Sequence, residues 1–585
     1  MNPGRRALWI RRVGILLAAS MLASASLYAR AQGLLQPEGE SGYEPKQAVL
    51  ASKFMVVAAN PLAADAGVEI LRAGGSALDA AIAVQMVLGL VEPQSSGIGG
   101  GLFLLHWEEK QRALRSYDGR ETAPRAAKAA RFVDALGRPM DRFDAVASGL
   151  AVGTPGALRV LELTHRRHGR LPWATLFEPA IRLAAQGFAM PRRLNLLLTR
   201  EAHLPRDPAA RSLYYDSAGR PKPVGTKLQN LAYAATLARI ATGGADAFYR
   251  GDVAADIVAA VKNHARPGDL STDDLAGYAA IEREPVCGAY RDRRICGMGP
   301  PSSGGVSVLE LLGLLEHSGF ERAAPGSERA VHLFAEAGRL AYADRLRYLA
   351  DPDFVPQPVA GLLDPGYLKT RAALIGERAM GAARAGQPQG AIAFADAEDT
   401  ELAGTSHASI VDAEGNAVAM TTTIESQFGS RIMVRGFLLN NQMTDFAWSP
   451  EFEGRPAANR LEPGKRPRSS MAPSLVFGRD GTLQAVIGSP GGPAIINYVA
   501  KTLVGLIDWG LDIQAAIALP NFGAAYGPTF IERGTAFEEL ADALEKRGHT
   551  LNFSAQTSGL HGIERAGALW RGGADPRREG VARGE

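Results

Sequence analysis

Two threonines at the ends of a predicted β-hairpin carry the clearest chemistry in the sequence. The turn-forming run 412–416 separates two β-branched stretches, and symmetric pairing about its centre places Thr405 opposite Thr423. Facing Cα atoms in antiparallel strands lie about 4.5–5.5 Å apart, so the two hydroxyls can meet. A threonine hydroxyl becomes an effective nucleophile when a base stands beside it, and the α-amine of an N-terminal threonine is such a base.

The peptide bond between Gly404 and Thr405 is the one whose cleavage would free that amine. Gly404 has no side chain to shield its carbonyl carbon, so the Thr405 hydroxyl could attack it. The run Gly-Thr-Ser-His also fits the start of an ordinary strand, and the local pattern leaves both interpretations open.

Two further segments offer groups that such a nucleophile needs. Gly491 and Gly492 follow a proline and a predicted strand, and successive backbone N–H groups there can point to one place, as an oxyanion hole requires. Ser469 and Ser470 provide two neighbouring hydroxyls. A plain turn and a solvated loop are the respective alternatives.

Other catalytic classes lack their motifs. The chain has no Gly-x-Ser-x-Gly nucleophile elbow, no His-Glu-x-x-His zinc motif, and no Gly-Lys-Ser/Thr after its Gly-rich run at 97–101. Two cysteines cannot form a four-thiolate zinc site. We therefore expect neither a metal nor an organic cofactor.

Composition and charge narrow the class of protein. The 585 residues are 46% hydrophobic and 21% charged, which is enough for a large folded core. Residues 1–31 carry five arginines and no acidic residue, so removing them changes the formal net charge from +3 to −2. A slightly acidic body without a long Lys/Arg run is a poor nucleic-acid binder.

The N-terminus has the pattern of an export signal. Four arginines precede an apolar run at 13–23, which is too short to span a membrane. Small-x-small sites predict a signal peptide of residues 1–31 cut after Ala31, with a cut after Ala25 or an uncleaved signal anchor as alternatives. No later segment is long and apolar enough to span a bilayer, so we expect an exported protein, periplasmic or secreted, without stable membrane insertion.

Apolar periodicity predicts mostly amphipathic helices over about 150–400 and short strands from His407 onwards. Segment 380–404 lacks this periodicity and is predicted to be an exposed linker. The clearest helices are predicted at 61–72, 77–90 and 328–349, and the clearest strands at 102–107, 407–411, 417–423, 474–477 and 484–488.

The two cysteines flank a second predicted hairpin. The run 290–293 resembles a two-residue turn, and pairing about it sets Cys287 opposite Cys296. Facing Cβ atoms can lie within disulfide reach, and exported compartments are oxidising. A disulfide between them is therefore predicted.

Several motifs occur together in a recognisable order. The set resembles the γ-glutamyltransferase (glutathione hydrolase) family from about Asn60 to the C-terminus. The motifs are Asn60-Pro61, Ala73-Gly74-Gly75, the Gly-rich run at 95–103, Asp118-Gly119-Arg120-Glu121-Thr122-Ala123-Pro124, Pro300-Pro301-Ser302-Ser303-Gly304-Gly305, Ala341-Tyr342-Ala343-Asp344-Arg345, Thr405-Ser406-His407, Asn440-Asn441-Gln442-Met443-Thr444-Asp445-Phe446, Ser469-Ser470-Met471 and Gly488-Ser489-Pro490-Gly491-Gly492.

The resemblance implies an α+β fold, the four-layer αββα sandwich of the N-terminal-nucleophile hydrolases. It implies self-cleavage between Gly404 and Thr405 into a large subunit, 32–404, and a small subunit, 405–585, interlocked as one unit. It also implies a γ-glutamyl hydrolase or transpeptidase that cleaves glutathione and related compounds through a Thr405 ester, with water or an amino acid or peptide as acceptor.

Family roles carry over to matching positions of this chain. Thr405 is then the nucleophile, Thr423 its hydrogen-bond partner, and Gly491 and Gly492 the oxyanion hole. The substrate contacts implied are Arg120, Ser469 and Ser470 for the α-carboxylate, and Gln442, Asp445 and Glu425 for the α-amine.

Two other functions compete with this interpretation. A cephalosporin (glutaryl) acylase would share the nucleophile but not need the amine contacts, and the presence of Gln442 and Asp445 favours γ-glutamyl substrates. A non-catalytic exported protein that binds γ-glutamyl peptides would not need the Thr405 and Thr423 pair. The region of the family's lid loop, 447–464, contains Trp448 but no tyrosine, which leaves lid closure open.

Overall fold

The computed structural model describes residues 41–134, 136–397 and 399–585 of the uncut chain. The predicted signal peptide, residues 1–31 with its cleavage sites after Ala25 and Ala31, lies outside the described residues. Within the described ranges, no helix combines the length and the apolar character needed to cross a membrane.

Two seven-stranded antiparallel sheets form the centre of the molecule. The sheet that contains Thr405, called the first sheet here, has the strand order Val581–Gly584, Met55–Ala58, Thr405–Val411, Ala417–Thr423, Gly101–Glu108, Ala113–Gly119 and Ile281–Arg283. The second sheet has the order Val49–Ala51, Leu569–Ala574, His561–Ala566, Leu483–Gly488, Ser474–Phe477, Arg293–Gly297 and Val286–Tyr290.

The two sheets pack face to face over an apolar layer that includes Val57, Leu105, Trp107, Phe477 and Ile563. Helices cover the outer face of each sheet, so the predicted four-layer αββα sandwich is confirmed. Packed outside the first sheet are Pro61–Arg72, Ala77–Val91, Ala157–His168, Glu178–Gln186, Arg192–Arg200, Pro208–Tyr214, Leu231–Gly243, Asp246–Tyr249, Gly251–Lys262 and Thr272–Ala276. Packed outside the second are Gly304–Glu316, Glu328–Tyr348, Pro365–Ala372, Ile495–Ile507, Ile513–Ala518 and Ala541–Lys546.

Local sequence signals explain where the first helices begin. Asn60 caps Pro61–Arg72 by accepting a hydrogen bond from Leu62 N, and a proline occupies the first helical position. A capping box of Ser76 and Asp79 starts Ala77–Val91, whose residues are all buried. Each strand and helix predicted above is present, with ends that differ by no more than two residues.

The two predicted hairpins have the predicted registers. Thr405 pairs with Thr423, and the turn between the strands is closed by Asp412, whose carboxylate accepts hydrogen bonds from Glu414 N and Asn416 N. Cys287 pairs with Cys296, and a disulfide joins the two side chains.

The prediction of an exposed linker at 380–404 is wrong in its second half. The residues before Phe394 are mostly exposed or half-buried, but Phe394, Thr400 and Ala403 are buried, as is Gly404. The predicted cut site therefore lies inside the molecule, at the start of the strand that begins at Thr405.

Candidate active site

Thr405 and Thr423 face each other at the end of the hairpin, on the side turned towards the second sheet. Their Oγ atoms are 3.3 Å apart, and both residues are buried. Strand alternation sends the neighbouring Ser406 to the opposite face, where its hydroxyl bonds to Glu92. Thr405 is therefore the hydroxyl that meets Thr423.

The Gly404 carbonyl is held by the same threonine pair. Thr423 Oγ1 donates a hydrogen bond to Gly404 O at 2.7 Å and accepts one from Glu425 N at 2.8 Å. Because a carbonyl oxygen can only accept, the single Thr423 hydroxyl hydrogen is directed at Gly404 O. This arrangement polarises the carbonyl next to the Thr405 hydroxyl, a role for Thr423 that the sequence does not signal.

Glycine at position 404 allows the backbone to approach closely. A Cβ added there would lie 2.3 Å from Glu425 O and 2.6 Å from Ser426 C, both of which are backbone atoms. Any larger residue at position 404 would therefore push this backbone away from Glu425 and Ser426.

A small cavity adjoins Thr405 and collects nearly all the side chains singled out above. It is lined by Arg120, Glu401, Leu402, Thr405, Thr423, Glu425, Gln442, Asp445, Ser469, Ser470, Met471, Gly492 and Ile495. Of the predicted catalytic and substrate-binding residues, Gly491 is absent from this described lining, as is Gly404 of the predicted cut site. Gly491 directly precedes Gly492, and both adopt the left-handed backbone that favours glycine, with φ of 135° and 56°.

Arg120 is buried, and its guanidinium group bonds to a carboxylate and to two backbone carbonyl groups. Its Nη2 donates to Asp445 Oδ2 at 2.6 Å and to the Arg468 carbonyl at 2.8 Å, while its Nε donates to the Pro467 carbonyl at 3.1 Å. Burial opposes the charged form, but the Asp445 and Glu121 carboxylates outweigh it and raise the pKa of Arg120. Arg120 therefore connects the acidic side of the cavity to the loop that carries Ser469 and Ser470.

The acidic side of the cavity has unsatisfied acceptors. Gln442 Nε2 donates to Asp445 Oδ2 at 2.7 Å, but Asp445 Oδ1 and Gln442 Oε1 are buried with no hydrogen-bond partner among the described residues. Burial and the neighbouring Glu425 carboxylate raise the pKa of Asp445 well above its ordinary value, and burial raises the pKa of Glu425. A cationic donor placed here would satisfy both acceptors and would favour the ionised form of the carboxyl groups.

The segment before the cut site fills the cavity. Glu401 Oε2 accepts a hydrogen bond from Ser470 N at 3.0 Å, and Leu402 N donates to Glu425 Oε1 at 2.6 Å. The remaining cavity volume is about 10 Å³, room for about one water molecule. Sequence reasoning missed Glu401 and Leu402, although their position within four residues of the proposed cut was a usable signal.

The predicted lid region, 447–464, packs away from this lining. Trp448 stacks on Phe132 with ring centroids 5.2 Å apart, and its Nε1 donates to the Thr444 carbonyl, one residue before Asp445. None of its described residues lines the cavity. In the uncut chain this region supports the loop of Asp445 from behind.

Away from the Thr405 cavity, one group of described residues has ligand atoms close enough to share a metal ion. His332, Glu336 and His549 lie together but outside the Thr405 cavity. His332 Nδ1 meets His549 Nε2 at 2.8 Å, His332 Nε2 bonds to the Gly376 carbonyl, and Arg339 donates to Glu336. Hydrogen bonds thus satisfy these groups, and we assign no metal to them.

Comparison with known proteins gives a consistent family assignment. The family model for gamma-glutamyltranspeptidase matches residues 63–585. The chain is 35% identical to the glutathione hydrolase proenzyme of Escherichia coli strain K12, with 97% of this chain and 98% of that protein covered. It is 33% identical to the glutathione hydrolase proenzyme of Bacillus subtilis strain 168, with 97% of both chains covered.

Solved structures agree with this assignment. The fold matches the crystal structure of cephalosporin acylase from Bacillus halodurans with a TM-score of 0.81 at 27% identity, over 94% of this chain and 99% of that one. A family model spanning most of the chain, together with relatives above 30% identity over nearly their whole length, is decisive. The chain belongs to the gamma-glutamyltranspeptidase family of enzymes.

Proposed function

We propose that the protein is a γ-glutamyl hydrolase and transpeptidase that cuts itself before Thr405 and then cleaves the γ-glutamyl amide of glutathione and related compounds. The observation that carries the proposal is the pair of unpartnered buried acceptors, Asp445 Oδ1 and Gln442 Oε1, in the same cavity as Arg120 and Thr405. Such acceptors fit the α-ammonium of a glutamyl group, which a glutaryl substrate lacks.

Self-cleavage is the first step of the proposed mechanism. The Thr405 hydroxyl attacks the Gly404 carbonyl carbon while Thr423 donates to the developing oxyanion. An ester bond forms, the amide C–N bond breaks, and the proton from the hydroxyl ends on the Thr405 nitrogen. Water then hydrolyses the ester, leaving a large subunit, 32–404, and a small subunit, 405–585, with a free α-amine on Thr405.

Substrate cleavage uses the same hydroxyl. Arg120, Ser469 and Ser470 bind the α-carboxylate, while Asp445, Gln442 and Glu425 bind the α-ammonium. Fixing both charges places the γ-carbonyl against Thr405, whose α-amine takes up the hydroxyl proton. The N–H groups of Gly491 and Gly492 stabilise the oxyanion, and water or an amine acceptor resolves the γ-glutamyl ester.

Glu401 and Leu402 must leave the cavity before a substrate enters, because about 10 Å³ cannot hold a glutamyl group.

We also propose that the protein is exported, since residues 1–31 have the pattern of a signal peptide and the two cysteines are disulfide-bonded. No resident metal or cofactor takes part in this mechanism.

Purified protein tests the function directly. We expect two bands on a denaturing gel, with N-terminal sequencing of the smaller one starting at Thr405. A γ-glutamyl anilide should be hydrolysed with a kcat/KM about 10²-fold above that for the glutaryl anilide, which lacks the α-amine, since a desolvated ionic contact contributes about 3 kcal/mol.

Asp445→Asn is the matched variant for this comparison. It should remove most of the preference, because γ-glutamyl turnover loses the ammonium contact, while glutaryl turnover loses only the indirect support that Asp445 gives to Arg120. A wild-type enzyme that prefers the glutaryl anilide would favour the acylase function instead. A single uncut band without turnover of either anilide would favour a binding protein.

The acidic pair also predicts a pH dependence. Asp445 must be ionised to bind an ammonium group, and burial together with Glu425 raises its pKa, so kcat/KM for the γ-glutamyl anilide should fall as pH is lowered through that raised pKa. Glu425→Gln removes the like charge and should move this acid limb to lower pH. An acid limb at the same pH in this variant would contradict the coupling.

A further inference from the structure

Arg345 connects the segment before the cut site to the wall of the cavity. This residue lies near the end of the helix Glu328–Tyr348, and its side chain is fully buried. Its Nη1 donates to Asp399 Oδ2 at 2.7 Å, and its Nη2 donates to Glu401 Oε1 at 2.6 Å. One guanidinium thus holds two carboxylates of the same segment.

Arg345 also contacts a residue of the cavity lining that is proposed to bind the substrate. Arg345 Nη2 also donates to Ser470 Oγ at 2.6 Å, and Glu401 Oε2 accepts from Ser470 N at 3.0 Å. Arg345 Nε is anchored on Ser303 Oγ at 2.8 Å. Glu401 is therefore bound from two directions and occupies a carboxylate position next to Ser470.

The segment needs such side-chain anchors because its backbone has little support of its own. The described residues between 383 and 404 form no helix or strand. Attack by a hydroxyl requires the carbonyl carbon to remain within about 3–3.5 Å in the right orientation. The ion pairs of Arg345 lie three and five residues before Gly404, close enough to restrict where that carbonyl sits.

Because the ion pairs of Arg345 are buried, they should hold the segment more strongly than exposed ion pairs would. The Asp399 and Glu401 side chains are 5% and 6% exposed, so water screens them little. Losing one partner of a buried, hydrogen-bonded ion pair is far more damaging than losing a partner of an exposed pair.

We propose that Arg345 and Glu401 form a positioning clamp for self-cleavage, which holds the 399–404 segment so that the Gly404 carbonyl faces Thr405. Neither residue touches the reacting atoms, so both are positioning residues and not catalytic ones. This inference rests on the proposed self-cleavage. It adds that the clamp acts in the uncut chain and is dispensable for turnover once the chain is cut.

The chain provides a matched control for this proposal. Arg347, two residues further along the same helix, pairs with Asp396 of the same segment at 2.6 Å. The Asp396 side chain is 55% exposed, so this pair is screened by solvent and should contribute little. Asp396→Asn therefore removes an ion pair between the same two elements without touching the clamp.

The experiment compares full-length wild type, Glu401→Gln, Glu401→Asp, Arg345→Lys and Asp396→Asn. Each protein is purified cold as uncut chain, and conversion to two bands is timed on a gel. The kcat and KM for γ-glutamyl anilide are then measured per cut molecule, and Tm is recorded for each uncut protein.

Glu401→Gln keeps the shape of the side chain but loses its charge, and should slow self-cleavage by about tenfold or more, the loss expected for a charge-assisted hydrogen bond. Glu401→Asp and Arg345→Lys keep the charges, but their side chains are shorter or differently shaped. Their rates of self-cleavage should lie between those of Glu401→Gln and wild type. Asp396→Asn should cut within about twofold of wild type, as expected for an exposed pair. The kcat per cut molecule should stay near wild type in the Glu401 and Asp396 variants. Arg345→Lys also alters the contact to Ser470, so only its cleavage rate and Tm enter the comparison.

Cutting of Glu401→Gln at the wild-type rate would overturn the clamp, and so would a kcat per cut molecule that falls as far as the cleavage rate. If Glu401→Gln does not fold, Arg345→Lys provides the test. Self-cleavage of this variant at the wild-type rate, with an unchanged Tm, would overturn the clamp. A wild-type protein that never cuts would instead overturn the proposed self-cleavage itself.

Discussion

Replacing Thr405 with alanine is expected to leave a single uncut chain with no γ-glutamyl hydrolase activity. The Thr405 hydroxyl lies beside the Gly404 carbonyl, which Thr423 polarises, so the variant lacks the group that attacks in self-cleavage. The same hydroxyl attacks the substrate, and the α-amine that would activate it is never released. A denaturing gel and an anilide assay on the same sample check both effects.

Two variants serve as controls for Thr405→Ala. Thr405→Ser keeps a hydroxyl and should still cut, but more slowly, because it loses the methyl group that restricts χ1. Ser406→Ala removes the neighbouring hydroxyl, which faces Glu92 on the other side of the strand, and should cut like wild type. A Thr405→Ala protein that still yields two subunits, or still hydrolyses the anilide, would refute the assignment of the nucleophile.

The hairpin that carries Thr405 could be predicted from sequence because its information is local. Two β-branched stretches and a turn rich in Asp, Asn and Gly fix the pairing, and Gly415 in the turn has a φ of 83° that favours glycine. The same reasoning located the cysteine hairpin. Short-range signals of this kind establish a register without any knowledge of the rest of the chain.

The burial of the segment before Thr405 could not be predicted in this way. Asp399 and Glu401 are charged, and charged residues without apolar periodicity are typical of exposed segments. They point inward because Arg345, 56 residues before Glu401 in the chain, offers a buried cation. No periodic pattern reports an ion pair between elements so far apart in sequence, so the error concerns long-range pairing and not local structure.

The resemblance supplied roles for the cavity residues, but not their mutual contacts. It assigns Arg120 to the substrate carboxylate and Asp445 to the amine, as though the two acted separately. In the uncut chain they are bonded to each other at 2.6 Å, and Arg120 also holds the carbonyls of Pro467 and Arg468. Each half of the proposed zwitterion site therefore depends on the other.

This dependence makes Arg120→Ala the second variant with a large expected effect. Its loss removes the carboxylate contact and leaves Asp445 buried without its cation, which raises the pKa of Asp445 further and neutralises the amine site at neutral pH. Breaking a buried pair costs about 3–5 kcal/mol, so kcat/KM for γ-glutamyl anilide should fall by roughly 10²-fold to a few times 10³-fold, mainly through KM.

Self-cleavage should survive this change, because the contacts of the Gly404 carbonyl are made by Thr423 and not by Arg120. Arg120→Lys, which keeps the charge without the planar fork, should bind substrate better than the alanine variant and worse than wild type. Tm separates these effects from unfolding. A folded Arg120→Ala protein with wild-type KM would refute the carboxylate role, and one that stays uncut would place Arg120 in the self-cleavage step instead.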